Sequence, residues 1–292
     1  WRHREAMAAL REVLALADAE ALLLANGVLR PAADAAQAAD FQDTASLHDE
    51  CRWMDPAAAA ESYPDVAAPH GALLIETGAA IDISRLSAAI LSAVRRAGGE
   101  IRLGCTLTSF AERSDRVEVS LFDGSAHGAS CRRLLLACGA GFRSLNALDG
   151  LGLHAVKGQT VDVRVNRDLS HLPHLSGKGY VVCSHNRATI GSSFEHEFEN
   201  PEPDPDVGAR LLARASKMLP ALQEAVILSH RAGIRVTRVG RRLPVVGPLP
   251  RHGRVWIFTA LGSKGLLMAP LIGSNLREFF ADDRKIPDEL RL

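Results

Sequence analysis

A mixed α/β fold is predicted by three features of the sequence. Gly71-Ala72-Leu73-Leu74-Ile75 is a short apolar strand, and behind it Ile83, Leu86, Ile90, Leu91 and Val94 recur at near-helical spacing between a capping Asp82 and Gly98-Gly99. Leu134-Leu135-Leu136-Ala137 is a continuous apolar run, as expected of a strand covered on both faces, and it ends at Gly139-Ala140-Gly141. Val255 to Thr259 is a further buried strand, which feeds a glycine-bounded loop and a helix opening at Gly265.

With 292 residues and 47% hydrophobic composition, the chain has enough apolar material for one large domain or two interleaved ones. Its 34 basic and 34 acidic side chains cancel, which removes any whole-molecule electrostatic argument for nucleic acid or anionic lipid. The five cysteines are scattered, without C-x-x-C pairs or zinc spacing, so reduced thiols in a cytoplasmic protein are expected. Apolar runs such as Ala21 to Ala25 are too short to cross a bilayer, so the protein reads as soluble. The opening Trp1-Arg2-His3-Arg4-Glu5 has no initiator Met and reads as cut from something longer.

Taken in order, Glu5 to Ala25 is rich in Ala, Leu and Glu and is expected to be helical up to Gly27. Residues 28–68, broken by Pro31, Pro56 and Pro64, are expected to hold short helices and loops. Ile101 to Leu103, Cys105 to Phe110 and Val117 to Leu121, before an Asp123-Gly124 turn, read as an antiparallel meander. Thr160 to Val165, Tyr180 to Cys183 and Ala188 to Ile190 are candidate strands. A proline-rich connection follows at 200–206, then a helix from about Val207 to Leu219. Ala232 to Val239 reads as strand, Leu243 to Pro248 as a turn-rich approach, and the last helix runs from Gly265 to about Phe280.

The segment 255–270 carries the most chemistry. A buried strand delivers a loop into a helix N-terminus, where unpaired N–H groups and the helix dipole suit an anion or a carbonyl with partial negative charge. The ring of a reduced flavin is such a ligand. Spacing alone equally describes an ordinary strand–turn–helix with glycines chosen for backbone freedom.

Leu261-Gly262-Ser263-Lys264-Gly265 resembles the C-terminal flavin-binding signature of the D-amino acid oxidase superfamily, which includes glycine and sarcosine oxidases. Its form is closest to the oxidase domain of the bifunctional enzyme that modifies the tRNA wobble uridine. Arg231-Ala232-Gly233-Ile234-Arg235 and Arg242-Leu243-Pro244-Val245-Val246-Gly247-Pro248 are similar to the family's substrate strand and the turn after it. The resemblance runs from about Gly71 to Pro270.

It implies FAD as cofactor and oxidation of a C–N bond of an amine or α-amino acid by hydride transfer to flavin. Gly262, Ser263, Lys264, Gly265 and Leu266 would line the ring, with Leu107, Ala137 and Gly139 also against the cofactor. Arg235 would hold a substrate carboxylate with its planar fork of donors, and Tyr180 would lie against the substrate. Lys264 would add a positive charge that assists oxygen reduction. The implied architecture is a two-domain fold: an incomplete Rossmann-like FAD-binding domain from 1–22, 71–150 and 253–292, and an antiparallel-sheet substrate domain from 23–70 and 151–252. The glycine-rich pyrophosphate turn of the family belongs before Trp1, so the FAD-binding segment is expected to be incomplete, with a non-catalytic fragment or split subunit as one alternative.

Other readings compete. Gly139-Ala140-Gly141-Phe142-Arg143-Ser144 imitates a dinucleotide fingerprint, with Asp162 about twenty residues on, and would make a nicotinamide dehydrogenase. No convincing helix opens at Gly141, and the family's strand end beneath FAD is the better match. A wobble-uridine substrate in tRNA would use the basic run Arg231, Arg235, Arg238, Arg241 and Arg242, although a strand divides such residues between its faces. His171 and His174, with Pro173 between them, are not expected to bind metal, and Cys138 reads as a small core residue.

Overall fold

A computed structural model describes residues 2–292; Trp1 lies outside the described residues. The chain forms two compact units, one from Trp1–Glu20, Ser84–Val156 and Ile234–Leu292, the other from Ala21–Ile83 and Lys157–Gly233. The boundaries expected at 71 and 253 therefore shift. Residues 71–83 join the second unit because their strand pairs within its sheet, and 234–252 join the first.

Helix α1 (His3–Leu16) buries Ala6, Ala9, Leu10 and Leu14 and stops at Ala17, where Asp18 turns left-handed at φ 53°. It is shorter than its composition predicts, because Leu23–Leu24 instead form strand β1. Strand β2 is Val28–Pro31. Helix α2 (Ala35–Leu47) is capped by Asp34, which accepts from the Gln37 N–H at 2.8 Å. After β3 (Cys51–Met54), α3 (Pro56–Ser62) opens on Asp55 with proline in its first turn. The region expected to hold short helices and loops thus holds two capped helices and, in addition, two strands that its prolines did not suggest.

Strands β4 (Ala72–Ile75) and β5 (Ala80–Ile81) lead to α4 (Ile83–Arg96). The meander is β6 (Thr106–Glu112), β7 (Val117–Phe122) and β8 (Ala126–Cys131), whereas Ile101 to Leu103 is not strand. Then come β9 (Leu134–Leu136), β10 (Leu153–Arg164), β11 (His174–Gly177), β12 (Gly179–Ser184) and β13 (Arg187–Gly191). Helix α5 (Pro205–Ala215), β14 (Val226–Arg238), β15 (Val245–Pro248), β16 (Val255–Thr259) and α6 (Gly265–Ala281) complete the chain. Strands β8 and β11 escaped the sequence reading: their mixed small and polar residues give no clear period-two signal.

In the first unit a sheet ordered β15-β16-β9 separates two cores. Val246 and Trp256 pack with Ala6, Ala9, Met268, Leu271 and Ile272 of α1 and α6. Val245, Val255, Ile257 and Leu136 pack with Val117 of the meander. This is strand alternation at work, with odd and even residues of β16 entering different cores. Glu112 ties the meander down by accepting from the Gly253 and Arg254 N–H groups at 3.0 and 3.1 Å. Leu134 to Leu136 are covered on both faces, Leu135 by the α1–α6 core and Leu134 and Leu136 by the meander core, but β9 is the lateral edge of the sheet and Ala137, expected in the strand, lies beyond it and is exposed.

The second unit is built on the eight-stranded sheet β14-β10-β13-β12-β11-β2-β4-β3. Val161, Val163, Val181, Cys183 and Ile190 face a core shared with Val207, Leu211 and Ala215 of α5. His174 is 3% exposed in this unit and sits between two backbone groups. Its Nε2 lies 3.1 Å from the Leu24 carbonyl, and its Nδ1 accepts from the Cys183 N–H at 3.3 Å. An imidazole that must donate from one nitrogen and accept at the other is neutral.

Burial holds the His174 imidazole below its usual range, outweighing the help a proton would receive from the Leu24 carbonyl. Between the lowered folded value and the unfolded value of about 6.5, the unfolded chain binds more protons, so stability is full above that window and falls as pH drops through it. The urea midpoint is expected to fall between about pH 7.5 and pH 5.5, and to fall less in His174→Gln. Equal falls in both proteins would place the pH dependence elsewhere.

Candidate functional site

Strands β9 and β16 are parallel, with Leu134 opposite Val255 and Leu136 opposite Ile257. Their carboxyl ends therefore leave the sheet at one edge and release Ala137-Cys138-Gly139 beside Ala260-Leu261-Gly262. The carboxyl edge of parallel strands is where open α/β sheets bind ligands, because successive chain turns leave a crevice there.

Both turns need unusual backbone. Gly139 has φ 51°, and a Cβ built on it would meet nothing within 4 Å, so the turn presents bare backbone to open space. Ala260 and Gly262 are also left-handed, at φ 59° and 52°. The Gly262 N–H donates to the Val236 carbonyl at 2.9 Å, and a Cβ on Gly262 would lie 3.3 Å from Thr237 Cγ2. The loop is thereby fastened to β14 one residue from Arg235, which is half-buried. Lys264 is the N-cap of α6 without a side-chain capping bond, so the first-turn amides project from the helix end. Ser263, Lys264 and Leu266 are exposed around them.

An isoalloxazine ring fits these residues on three counts. The helix end offers amides and positive dipole, the Gly139 turn leaves room for close approach, and Leu266 presents exposed apolar surface. Thr259, at the end of β16, is 3% exposed and its Oγ1 has no hydrogen-bond partner among the described residues, a polar atom for which the chain supplies no complement. Leu107 of β6 is half-buried against the core cluster that contains Leu136 and Cys138, and burial raises the Cys138 thiol, which keeps it protonated.

The dinucleotide alternative loses its structural basis. Gly139–Ser144 winds as a 3-10 turn and opens no α-helix. Asp162 accepts from Thr189 Oγ1 at 2.6 Å, and from Ser229 Oγ and Arg231 Nη2 at 2.7 Å each. Burial alone would raise that carboxyl, but these donors hold it below the usual range, so it is a satisfied part of the sheet. His171 and His174 do not converge: His171 lies 3.5 Å from Asp65, and His174 is buried as described.

Tyr180 belongs to the second unit, on β12 opposite Gly191 of β13 and Ser176 of β11. A Cβ on Gly191 would lie 2.5 Å from Tyr180 Cζ and Oη, so the ring lies across a strand that has no side chain there. Gly191, Thr237 and Thr259 were missed in the sequence. A glycine ending an apolar run was the available signal for the first; nothing local marks the threonines.

A glycine-turned helix N-terminus at the carboxyl edge of parallel strands is the arrangement in which α/β proteins bind nucleotide cofactors. The chain belongs to the FAD-dependent oxidoreductase family, whose model matches residues 2–278. It is 29% identical to a glycine oxidase of Pseudomonas putida over 174 residues, covering 58% of this chain and 47% of the relative. It is also 29% identical to the tRNA 5-methylaminomethyl-2-thiouridine biosynthesis bifunctional protein MnmC of Idiomarina loihiensis over 257 residues, 84% of this chain and 41% of the relative. The chain thus spans less than half the length of these curated relatives. Among solved structures, glycine oxidase of Geobacillus kaustophilus superposes with a TM-score of 0.84 at 22% identity, covering 98% of this chain and 79% of that one. L-proline dehydrogenase of P. horikoshii gives 0.82 at 16% identity, covering 98% and 80%.

Gly262 and Gly265 make different demands on the same loop, since a Cβ on Gly265 would meet only Leu261 Cβ at an ordinary 3.7 Å. Gly262→Ala is expected to cost about 1–2 kcal/mol in urea unfolding and Gly265→Ala much less. Equal costs would mean that the left-handed turn is not what holds the loop.

Proposed function

We propose that this chain oxidises the C–N bond of an amine or α-amino acid with FAD as the oxidant, and that its electron-accepting ring sits at the α6 N-terminus. The observation that carries this reading is the shared edge of β9 and β16, from which the bare Gly139 turn and the loop that opens the uncapped α6 both depart. Bound there, FAD would supply the two-electron acceptor for the reaction.

The chain's own residues bind, orient and polarise. First-turn amides of α6 and its dipole stabilise negative charge on the ring, which costs no reorganisation because the helix is preformed. Arg235 grips the substrate carboxylate through two parallel N–H donors and so fixes which C–H faces the ring. The α-carbon loses hydrogen with its electron pair, the nitrogen loses a proton, and water hydrolyses the resulting imine. No acid–base dyad is required. Lys264, exposed at the N-cap, places an ammonium where reduced oxygen species gather charge.

Two further readings rest on particular observations. Similarity to MnmC over 84% of the chain favours a carboxymethylaminomethyl-uridine in tRNA as substrate. Against it, Arg231 is engaged by Asp162 and the net charge is zero. The exposed edge of β9, together with exposed Leu91 and Val94 on α4, favours a chain that works with a further segment or partner subunit supplying the pyrophosphate turn.

The test is anaerobic bleaching of FAD-loaded protein by glycine, sarcosine, proline and carboxymethylaminomethyl-uridine, followed by rapid reoxidation. Bleaching by an amino acid is expected, with KM raised ~100-fold or more in Arg235→Leu, since a charge-assisted bidentate pair is lost. Lys264→Met is expected to slow reoxidation and leave reduction unchanged. Bleaching by none of the four, or equal loss in both half-reactions of Lys264→Met, would overturn the respective assignment.

A further inference from the structure

The meander carries a second group of side chains that the flavin site does not use. Cys105 immediately precedes β6, Asp123 immediately follows β7, and His127 lies in β8. Register brings them together. Thr106 pairs with Phe122, which places Cys105 across from Asp123, and Leu121 pairs with His127. Residues two apart on a strand share a face, so Asp123 shares the face of Leu121 and therefore of His127. All three side chains converge at the hairpin end of the sheet. Their sulfur, carboxylate oxygen and imidazole nitrogen lie within 4.8 Å of one another, and His127 Nδ1 is 3.6 Å from Asp123 Oδ1.

From this geometry we propose a Zn2+ site formed by Cys105, Asp123 and His127, with a fourth position open to water. Tetrahedral zinc, with bonds of about 2.0–2.3 Å, sets neighbouring ligand atoms roughly 3.4 Å apart, so small rotamer changes close the observed spacing. The donor set is selective. A thiolate with an imidazole favours a borderline cation such as zinc over Mg2+ or Ca2+, which take oxygen ligands. On binding, the thiol proton leaves to solvent, and thiolate plus carboxylate balance the charge of the ion. Arg102 lies close enough to interact with Cys105 and Asp123, and its Nε donates to Glu100 at 2.7 Å, which keeps a counter-charge beside it.

One ligand lies next to β6, one next to β7 and one in β8, so the ion would staple the three strands at the end far from the Glu112 tether. Sequence spacing hides the site: the cysteine and the histidine belong to different strands, and only pairing makes them neighbours. Cys131 also lies in the meander, but its partner Val117 is at the opposite end, so it serves as an internal control.

The full chain, freed of metal by chelator dialysis, is titrated with Co2+ alone and read by difference absorption. One tight equivalent with a thiolate-to-cobalt charge-transfer band and tetrahedral d–d bands is expected, displaced by Zn2+. Cys105→Ser should abolish the charge-transfer band and weaken binding ~100-fold or more, beyond what loss of an outer partner costs. Cys131→Ser should change neither. Should Cys105→Ser fail to fold, Asp123→Asn, at an exposed position, is expected to keep the band and weaken binding at least tenfold. Absence of a thiolate band in the parent protein, its survival in Cys105→Ser, its loss in Cys131→Ser, or unweakened binding in Asp123→Asn would overturn the site.

Discussion

Parallel pairing of β9 with β16 is the constraint on which the candidate cofactor site depends. Only parallel strands release their carboxyl ends on the same side, and here those ends become two left-handed turns in register. The pairing is held from both faces. Trp256 is locked edge-on against Phe280 at 4.8 Å, while Ile257 is fully buried towards the meander. Loss of either packing layer would let the two turns slide apart and disperse the edge proposed to hold the ring.

A second consequence follows from the bond between the Gly262 N–H and the Val236 carbonyl. It couples the loop proposed to line the flavin to the strand that bears Arg235. The proposed cofactor contact and the proposed carboxylate grip are therefore linked by a single backbone hydrogen bond rather than by a flexible loop, which suits a reaction whose rate depends on where one C–H bond points. In the second unit the sheet divides its labour by face. Valines and Ile190 meet α5, and the opposite face carries Thr160, Asp162, Thr189 and Tyr180, with the Thr189 hydroxyl donating to Asp162.

Much of the first unit was legible because its signals are local. Val255 to Thr259 has the bounds read from its apolar run, and Gly265 opens the last helix as its glycine and loop composition indicate. The placement of Gly262 on β14 was not legible, since it depends on a contact between segments remote in sequence. Propensity overran the first helix: Ala and Leu after Leu16 are helix formers, but Leu23 and Leu24 gain more by pairing with Ile81 and Ala80. Prolines at 31 and 56 looked like breakers and act as a strand end and a helix opener. Exposure of Ala137 could not be read from an apolar run, because such a run gives no information on whether a sheet continues beyond it.

The central claim is that the edge formed by the Gly139 turn and α6 holds a flavin ring. It is tested most directly by the visible spectrum of the purified chain after incubation with FAD and desalting, compared with Gly139→Val. A retained flavin band with a shifted, structured envelope in the parent chain, and its loss in the folded variant, is the predicted result. A band of equal intensity in both proteins would contradict the placement of the ring at that edge.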